Sequence, residues 1–274
     1  MVARTDYRQE LVEAAHSVLL ELTRLLGEYR DEIVLVGGWV PALLLTPGQD
    51  KHVGSIDVDL ALDHRMLQEP GYQTIRELLL RRGYVEGRQP FIFHRQVSIG
   101  GRAIVVEVNF LAGENAGTGR SHRTQKVQDV RARKARGSEL ALKMAVEVPL
   151  RGTLPDGGKD SASIRVASIV PFLVMKGMAL YDRLKEKDAW DVYFCVRNCP
   201  GGVEALVKEL RPHIGHGLVK EGLLKIGEKF ASPEHTGPKF VADFEEITDR
   251  EERELLQRDA FECVNFLLEE LGIR

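Results

Sequence analysis

The chain has 274 residues, of which 43% are apolar and 29% charged, with 38 Lys and Arg against 41 Asp and Glu. This composition excludes a disordered or fibrous chain, and a formal charge of −3 excludes a globally basic nucleic-acid binder, so any polyanion site must be local. Three cysteines (Cys195, Cys199, Cys263) are too few and too odd for a disulfide framework and fit a reducing cytosol.

In chain order, Asp6 and Gln9 have the spacing of a capping box, and Leu11 to Leu26 recur at helical spacing up to Gly27. Ile33-Val34-Leu35-Val36 predicts a short buried strand, turned by Gly37-Gly38 into a second helix over Trp39 to Leu45 and ended by Pro47-Gly48. Residues 55–62 predict a strand and 72–82 a helix. Residues 91–98 and 102–111 predict a hairpin about Gly100-Gly101. Leu140, Leu142, Met144, Val146 and Val148 alternate, predicting a strand over 138–148, with a return strand over 161–167. From Ser168 onward the pattern is helical. The expectation is an α/β (α+β) domain with a mixed sheet over 1–166, then a helical domain over 167–274. The N-terminus has no apolar signal region, and the uncharged stretch from Ile33 to Gln49 is broken by Gly and Pro. A cytoplasmic, non-membrane protein is therefore expected.

The segment Ser55-Ile56-Asp57-Val58-Asp59-Leu60 carries the most chemistry. Strand alternation puts Ile56, Val58, Leu60 and Leu62 on an apolar face and Ser55, Asp57 and Asp59 on the other. Carboxylates two apart on a strand are about 6.6 Å apart at Cα and can converge on a divalent ion. Mg²⁺ takes one or two carboxylates plus substrate phosphates. Two such ions about 4 Å apart serve phosphoryl transfer by stabilising attacking and leaving oxygens. Upstream, Gly37-Gly38 opens a helix whose N–H groups face a phosphate. On a later strand Val105, Glu107 and Asn109 share a face, and Glu107 is an acid inside an apolar run.

This order (strand, Gly-Gly, short helix, D-x-D strand, later acid) resembles the DNA polymerase β-like nucleotidyltransferase superfamily, and within it the AbiEii and MenT-type toxins of type IV toxin–antitoxin and abortive-infection systems. A second stretch, Lys176 to Asp191, is similar to that branch's K-x-x-A-L-x-x-R-x-x-x-(K/R)-D-x-x-D. The resemblance implies a Mg²⁺-dependent (or Mn²⁺-dependent) enzyme that moves a nucleoside monophosphate from a nucleoside triphosphate onto RNA, the tRNA 3′ end above all. It also implies a cognate antitoxin as partner and no sequence-specific DNA binding. Carried onto this sequence, the metal ligands are Asp57, Asp59 and Glu107, with Asn109 the other residue that aligns with the third acid. Nucleotide contacts are Gly37, Gly38, Ser55, Lys176 and Arg183, and Lys176 and Asp191 join the catalytic set. If 176–191 is one helix, Lys176, Arg183, Lys187 and Asp191 lie within about 80° of one another as a cationic stripe. Where the branch has a serine after Gly-Gly, this chain has Trp39, a feature shared with antibiotic nucleotidyltransferases. That supports a second reading with an aminoglycoside or lincosamide acceptor.

The local polyanion site expected from charge is Arg120, Arg123, Lys126, Arg131, Arg133, Lys134 and Arg136 against the single acid Asp129, a net +6 assigned to RNA. From Val241 to Arg274 the balance reverses to eleven acids against four bases.

Overall fold

A computed structural model describes residues 2–45, 50–67, 73–114 and 124–273. The chain divides into two units: Tyr7–Leu43 with Gly54–Ser168, and Met1–Asp6 with Leu44–Val53 and Ile169–Arg274.

The first unit is a mixed sheet with helices. Helix α1 (Gln9–Leu25) buries Ala14, Ala15, Val18, Leu19 and Leu22, the stripe its spacing predicts. The predicted capping box does not form. Arg8 occupies the cap without a side-chain bond, and Asp6 instead accepts from the Ala3 N–H within a preceding 3₁₀ turn. Strand β1 (Ile33–Val36) is wholly buried. A 3₁₀ turn over Gly37–Trp39 then leads into α2 (Val40–Leu44), whose expected stop at Pro47-Gly48 lies outside the described residues. Next come β2 (Asp57–Leu62), α3 (Ile75–Arg81), β3 (Val85–Glu86), β4 (Ile92–Ile99) and β5 (Arg102–Ala112). Helix α3 starts later than periodicity predicts, because the Thr74 side chain accepts from the Glu77 N–H and closes a capping box there. The hairpin β4–β5 turns at Gly100-Gly101, with Ile99 opposite Arg102.

The basic stretch is a second hairpin, β6 (Thr124–Val127) and β7 (Val130–Lys134), attached to β5 through β7. The alternation expected over 138–148 resolves differently: α4 (Ser138–Lys143) precedes β8 (Ala145–Thr153), which pairs with β9 (Lys159–Ala167). Leu140 and Ala141 are buried on one side of this helical turn, and Gly137, with φ +93, starts it. Leu140 and Met144 satisfy both period 2 and period 4, so the sequence cannot separate helix from strand there.

The sheet runs β3-β4-β5-β2-β1-β9-β8. Strand β2 sits between β1, to which it is antiparallel, and β5, to which it is parallel. Its Val58, Leu60 and Leu62 are buried. That fixes the register, since a slip by one residue would turn the carboxylates into the core.

The helical unit comprises α5 (Ile169–Arg183), α6 (Glu186–Arg197), α7 (Gly202–Leu210), α8 (Gly217–Lys229), α9 (Thr236–Phe244) and α10 (Arg250–Glu270). Helices α5 and α8 meet where Gly177 faces Gly222: a Cβ on Gly177 would lie 2.3 Å from the Gly222 carbonyl oxygen.

Within the sheet unit, Glu21 of α1 is a buried acid held by Arg82 at 2.6 Å and Arg95 at 2.8 Å. Removing one partner of such a group strands the other. Glu21→Ala is expected to lower the free energy of unfolding by about 3 kcal/mol in urea denaturation. A change below about 1 kcal/mol would show that the arginines are solvated without it.

Candidate active site

The turn after β1 is shaped around a carboxylate. Antiparallel register places Val36 opposite Asp59, so the Asp59 side chain lies beside residue 37. Gly37 has φ +75, and a Cβ there would lie 2.1 Å from Asp59 Oδ2. Backbone conformation and space therefore both require glycine. The next residue but one, Trp39, is buried, and its Nε1–H donates to the Asp57 carbonyl oxygen at 2.9 Å. Its ring packs near His16, with centroids 5.5 Å apart, and against Gly54. Trp39 is a core residue bonded to the carboxylate strand, which accounts for its place after Gly-Gly without a small-molecule acceptor.

Asp57 and Asp59 are both partly exposed on the face opposite the buried Val58 and Leu60. Ser55, itself buried, donates from Oγ to Asp57 Oδ1 at 2.5 Å. Parallel pairing with β5 sets Glu107 level with Asp57 and Asn109 level with Asp59. Both later residues thus share the carboxylate face, and Glu107 is the acid between them. Asn109 is buried, whereas Glu107 is partly exposed. His94, its cross-strand partner on β4, brings Nε2 to 3.8 Å from Glu107 Oε2. Hard carboxylate oxygens on one strand face suit a divalent cation. Among the described residues no three His, Cys, Asp or Glu side chains converge as a metal cluster. The donor set therefore fits an ion held by two carboxylates and completed by substrate phosphates.

The second motif is not one helix, so the cationic stripe does not form. Helix α5 ends at Arg183, Leu184 adopts φ +47, and α6 begins at Glu186. The break folds the motif on itself into an interior ion-pair network. Lys176 Nζ lies 2.7 Å from Asp188 Oδ1 and 2.6 Å from Asp191 Oδ2. Arg183 Nε bonds Asp188 Oδ2 at 2.6 Å, and Lys187 Nζ bonds Asp191 Oδ1 at 2.9 Å. Lys176, Lys187, Asp188 and Asp191 are all buried. The predicted members Lys176, Arg183 and Asp191 thus come together. Two more residues belong with them that sequence reasoning left out. Asp188 had a visible signal, its place in the D-x-x-D repeat. His52 had none, being far away in sequence, and its Nε2 lies 2.9 Å from Asp191 Oδ1.

Burial alone would neutralise these groups, but their partners reverse it. Burial pulls Lys176 down, yet Asp188 and Asp191 hold its pKa above the ordinary lysine value. Burial pushes the acids up, yet Lys176 and Arg183 bring Asp188 down to about 2, and Lys176 and Lys187 hold Asp191 well below the usual range. For His52 burial prevails over Asp191 and lowers its pKa to about 4, so the imidazole is neutral at pH 7. The five charged groups sum to +1.

On the β6–β7 hairpin, Arg131 and Arg133 alternate with buried Val130 and Ala132 and point outward. Lys126 sits directly opposite Arg131 in the ladder. Arg133 also covers the Phe91 ring, 5.7 Å from its centroid. Among the described residues Arg136 pairs with Glu114 at 3.7 Å. Arg120 and Arg123 lie outside the described residues.

A family model described as nucleotidyl transferase AbiEii toxin, type IV toxin–antitoxin system, matches residues 20–270, nearly the whole chain. The chain belongs to the AbiEii family. No curated protein and no solved structure matches it. As an AbiEii nucleotidyltransferase it uses a nucleoside triphosphate, and as a type IV toxin it has a cognate antitoxin. Among the described residues no helix is long and apolar enough to cross a membrane.

Two measurements probe this geometry. Gly37→Ala forces Asp59 aside, so induced expression of the variant is expected not to arrest growth while the protein stays folded by circular dichroism. Growth arrest equal to wild type would show that Asp59 can move at no cost. For His52, the unfolded chain binds its proton at the ordinary pKa of 6.5 and the folded chain only near 4. The stability this group supplies is complete above pH 6.5 and falls as pH drops towards 4. Across that window wild type is expected to lose about 3 kcal/mol more than His52→Gln in denaturant titrations. Parallel curves would mean that burial does not lower the His52 pKa in the fold.

Proposed function

We propose that this AbiEii enzyme transfers a nucleoside monophosphate from a nucleoside triphosphate onto an RNA hydroxyl, the tRNA 3′ end, with Mg²⁺ as the ion. The observation that carries this reading is Gly37 seated against Asp59, which joins the Gly-Gly turn to the carboxylate strand. In this reading Asp57 and Asp59 hold the cation, and the Gly37-Gly38 backbone lies against the triphosphate, where a side chain would intrude. When bound, the cation polarises the reacting phosphate and offsets charge on the leaving oxygen.

The remaining work falls to the chain's own residues. Ser55 holds Asp57 in place through Oγ. The acceptor hydroxyl oxygen forms the new bond to the α-phosphorus, and the bond from that phosphorus to the bridging oxygen breaks. Pyrophosphate leaves with the electron pair, and the hydroxyl proton passes to Glu107, beside which His94 stands. Within the helical unit, Asp191 orients Lys176 by accepting its ammonium at 2.6 Å.

The acceptor is assigned to RNA on charge. Lys126 and Arg131, directly opposite in a ladder, repel each other unless an anion lies across them. Among the described residues no carboxylate pairs with Lys126, Arg131 or Arg133. A polyanion backbone supplies such an anion repeatedly.

Each α-labelled nucleoside triphosphate, incubated with Mg²⁺ and total tRNA, tests the reading. Label from one nucleotide is expected in the tRNA band with wild type and below detection with Asp57→Ala/Asp59→Ala. Label absent with wild type, or retained by the double variant, would overturn it. Arg131→Ala/Arg133→Ala is expected to raise the KM for tRNA about tenfold at low salt and to flatten its salt dependence, with kcat little changed. An unchanged salt slope would remove the hairpin from the RNA path.

A further inference from the structure

We propose that His94 and Glu107 together hold the vicinal diol of the acceptor's terminal ribose, which makes His94 the residue that selects an RNA end over a DNA end. This rests on the reading above in which Glu107 receives the acceptor's proton. Every residue involved lies in the sheet unit.

Strand order fixes the side from which the acceptor arrives. Across the sheet, β4, β5, β2 and β1 are consecutive neighbours. The Gly37 turn, against which the triphosphate lies, is on the β1 side of Asp59. On the other side, Glu107 of β5 is level with Asp57, and His94 of β4 is directly opposite Glu107. Attacking and leaving oxygens are roughly in line in phosphoryl transfer. With pyrophosphate leaving over the turn, the hydroxyl comes from the β5–β4 side. The basic hairpin occupies that side too. Strand β2 takes one edge of β5 over 107–112, so β4 and β7 share the other, β4 over 102–109 and β7 at 111–112. Arg133 is level with Leu111, which puts Arg131 and Arg133 on the sheet face of Glu107. The run of β5 from Leu111 back to Glu107 is about 13 Å. An RNA strand held by the hairpin therefore reaches Glu107 and His94 with its end.

The pair is spaced for two neighbouring hydroxyls. His94 Nε2 and Glu107 Oε2 are 3.8 Å apart, too far to hydrogen-bond each other. Their side chains are 37% and 44% exposed, so both are open to a ligand. Among the described residues neither side chain has another hydrogen bond or ion pair. The 3′-hydroxyl gives its proton to Glu107 as its oxygen attacks. The 2′-hydroxyl, on the adjacent ring carbon, then faces the imidazole. A hydroxyl both donates and accepts, so either tautomer of His94 bonds it. The 2′-hydroxyl is the group by which a protein tells RNA from DNA at a given site. A deoxyribose end leaves Nε2 without that partner, and the lost bond discriminates against it.

The test gives the full chain two acceptors: a tRNA ending in ribose, and the same tRNA ending in 2′-deoxyribose with its 3′-hydroxyl intact. Transfer is followed from the α-labelled nucleotide. Wild type is expected to prefer the ribose end about tenfold in kcat/KM. In His94→Ala the preference is expected to fall within about twofold, by loss on the ribose end alone, with the deoxyribose end used as by wild type. His94→Gln, which still donates and accepts, is expected to keep part of the preference. A structural role for His94 predicts equal losses on both acceptors, and that result overturns the proposal. So does a preference that survives in His94→Ala. Label on both acceptors without preference in wild type refutes the proposal and leaves the RNA reading standing. No label on either refutes the RNA reading and the proposal with it.

Discussion

An oxygen of Asp59 occupies the volume in which a side chain at residue 37 would begin. Much of the sheet unit's arrangement follows from that close approach. Residue 37 must be glycine, because the turn needs a positive φ and the carboxylate leaves no room for a Cβ. The strand pairing Val36↔Asp59 must hold, since a slip of one residue would point Asp59 into the core in place of Val58. Trp39 then secures the neighbouring backbone at Asp57, and the parallel partner β5 delivers Glu107 to the same face. A wholly buried β1, a two-faced β2 and an eleven-residue β5 are the scaffold for two carboxylates beside a glycine turn.

The helical unit solves a different problem. It buries two lysines and two carboxylates beside a neutral histidine, with Arg183 reaching in from the surface. An ion pair taken out of water gains little net stability, because desolvation cancels most of the attraction. What burial supplies is direction: each carboxylate oxygen has a named donor, and each donor a defined partner. The break at Leu184 makes this possible by bringing Asp188 and Asp191 of one helix to Lys176 of the preceding one. A continuous helix would leave the same residues on a solvated stripe.

The sequence made the sheet face legible and the ion network only in part. Period-2 alternation over 55–62 is strict, so the placement of Ser55, Asp57 and Asp59 opposite Val58 and Leu60 follows from the chain alone. Gly37-Gly38 was visible as a turn, but its contact with Asp59 was not, because antiparallel register is a tertiary fact. For the same reason only the β2–β5 pairing shows that Glu107 stands level with Asp57 and Asn109 with Asp59. Residues 138–148 satisfied two periods at once, and tertiary packing chose the helical turn. In the second motif the spacing looked continuous, since nothing in Leu184-Lys185 announces a left-handed residue. His52 stands 139 positions from Asp191 and carries no local pattern. The sequence lists the chemistry of a site more readily than the long-range pairs that orient it.

In the proposed reaction Asp57 and Asp59 act together with the Gly37 turn as one cation-dependent nucleotide site. Calorimetric titration with a nucleoside triphosphate whose α–β bridge cannot be cleaved tests it directly, with and without Mg²⁺. Binding is expected for wild type only when Mg²⁺ is present, and none for Asp57→Asn/Asp59→Asn. Equal binding in the absence of Mg²⁺, or by the double variant, would contradict it.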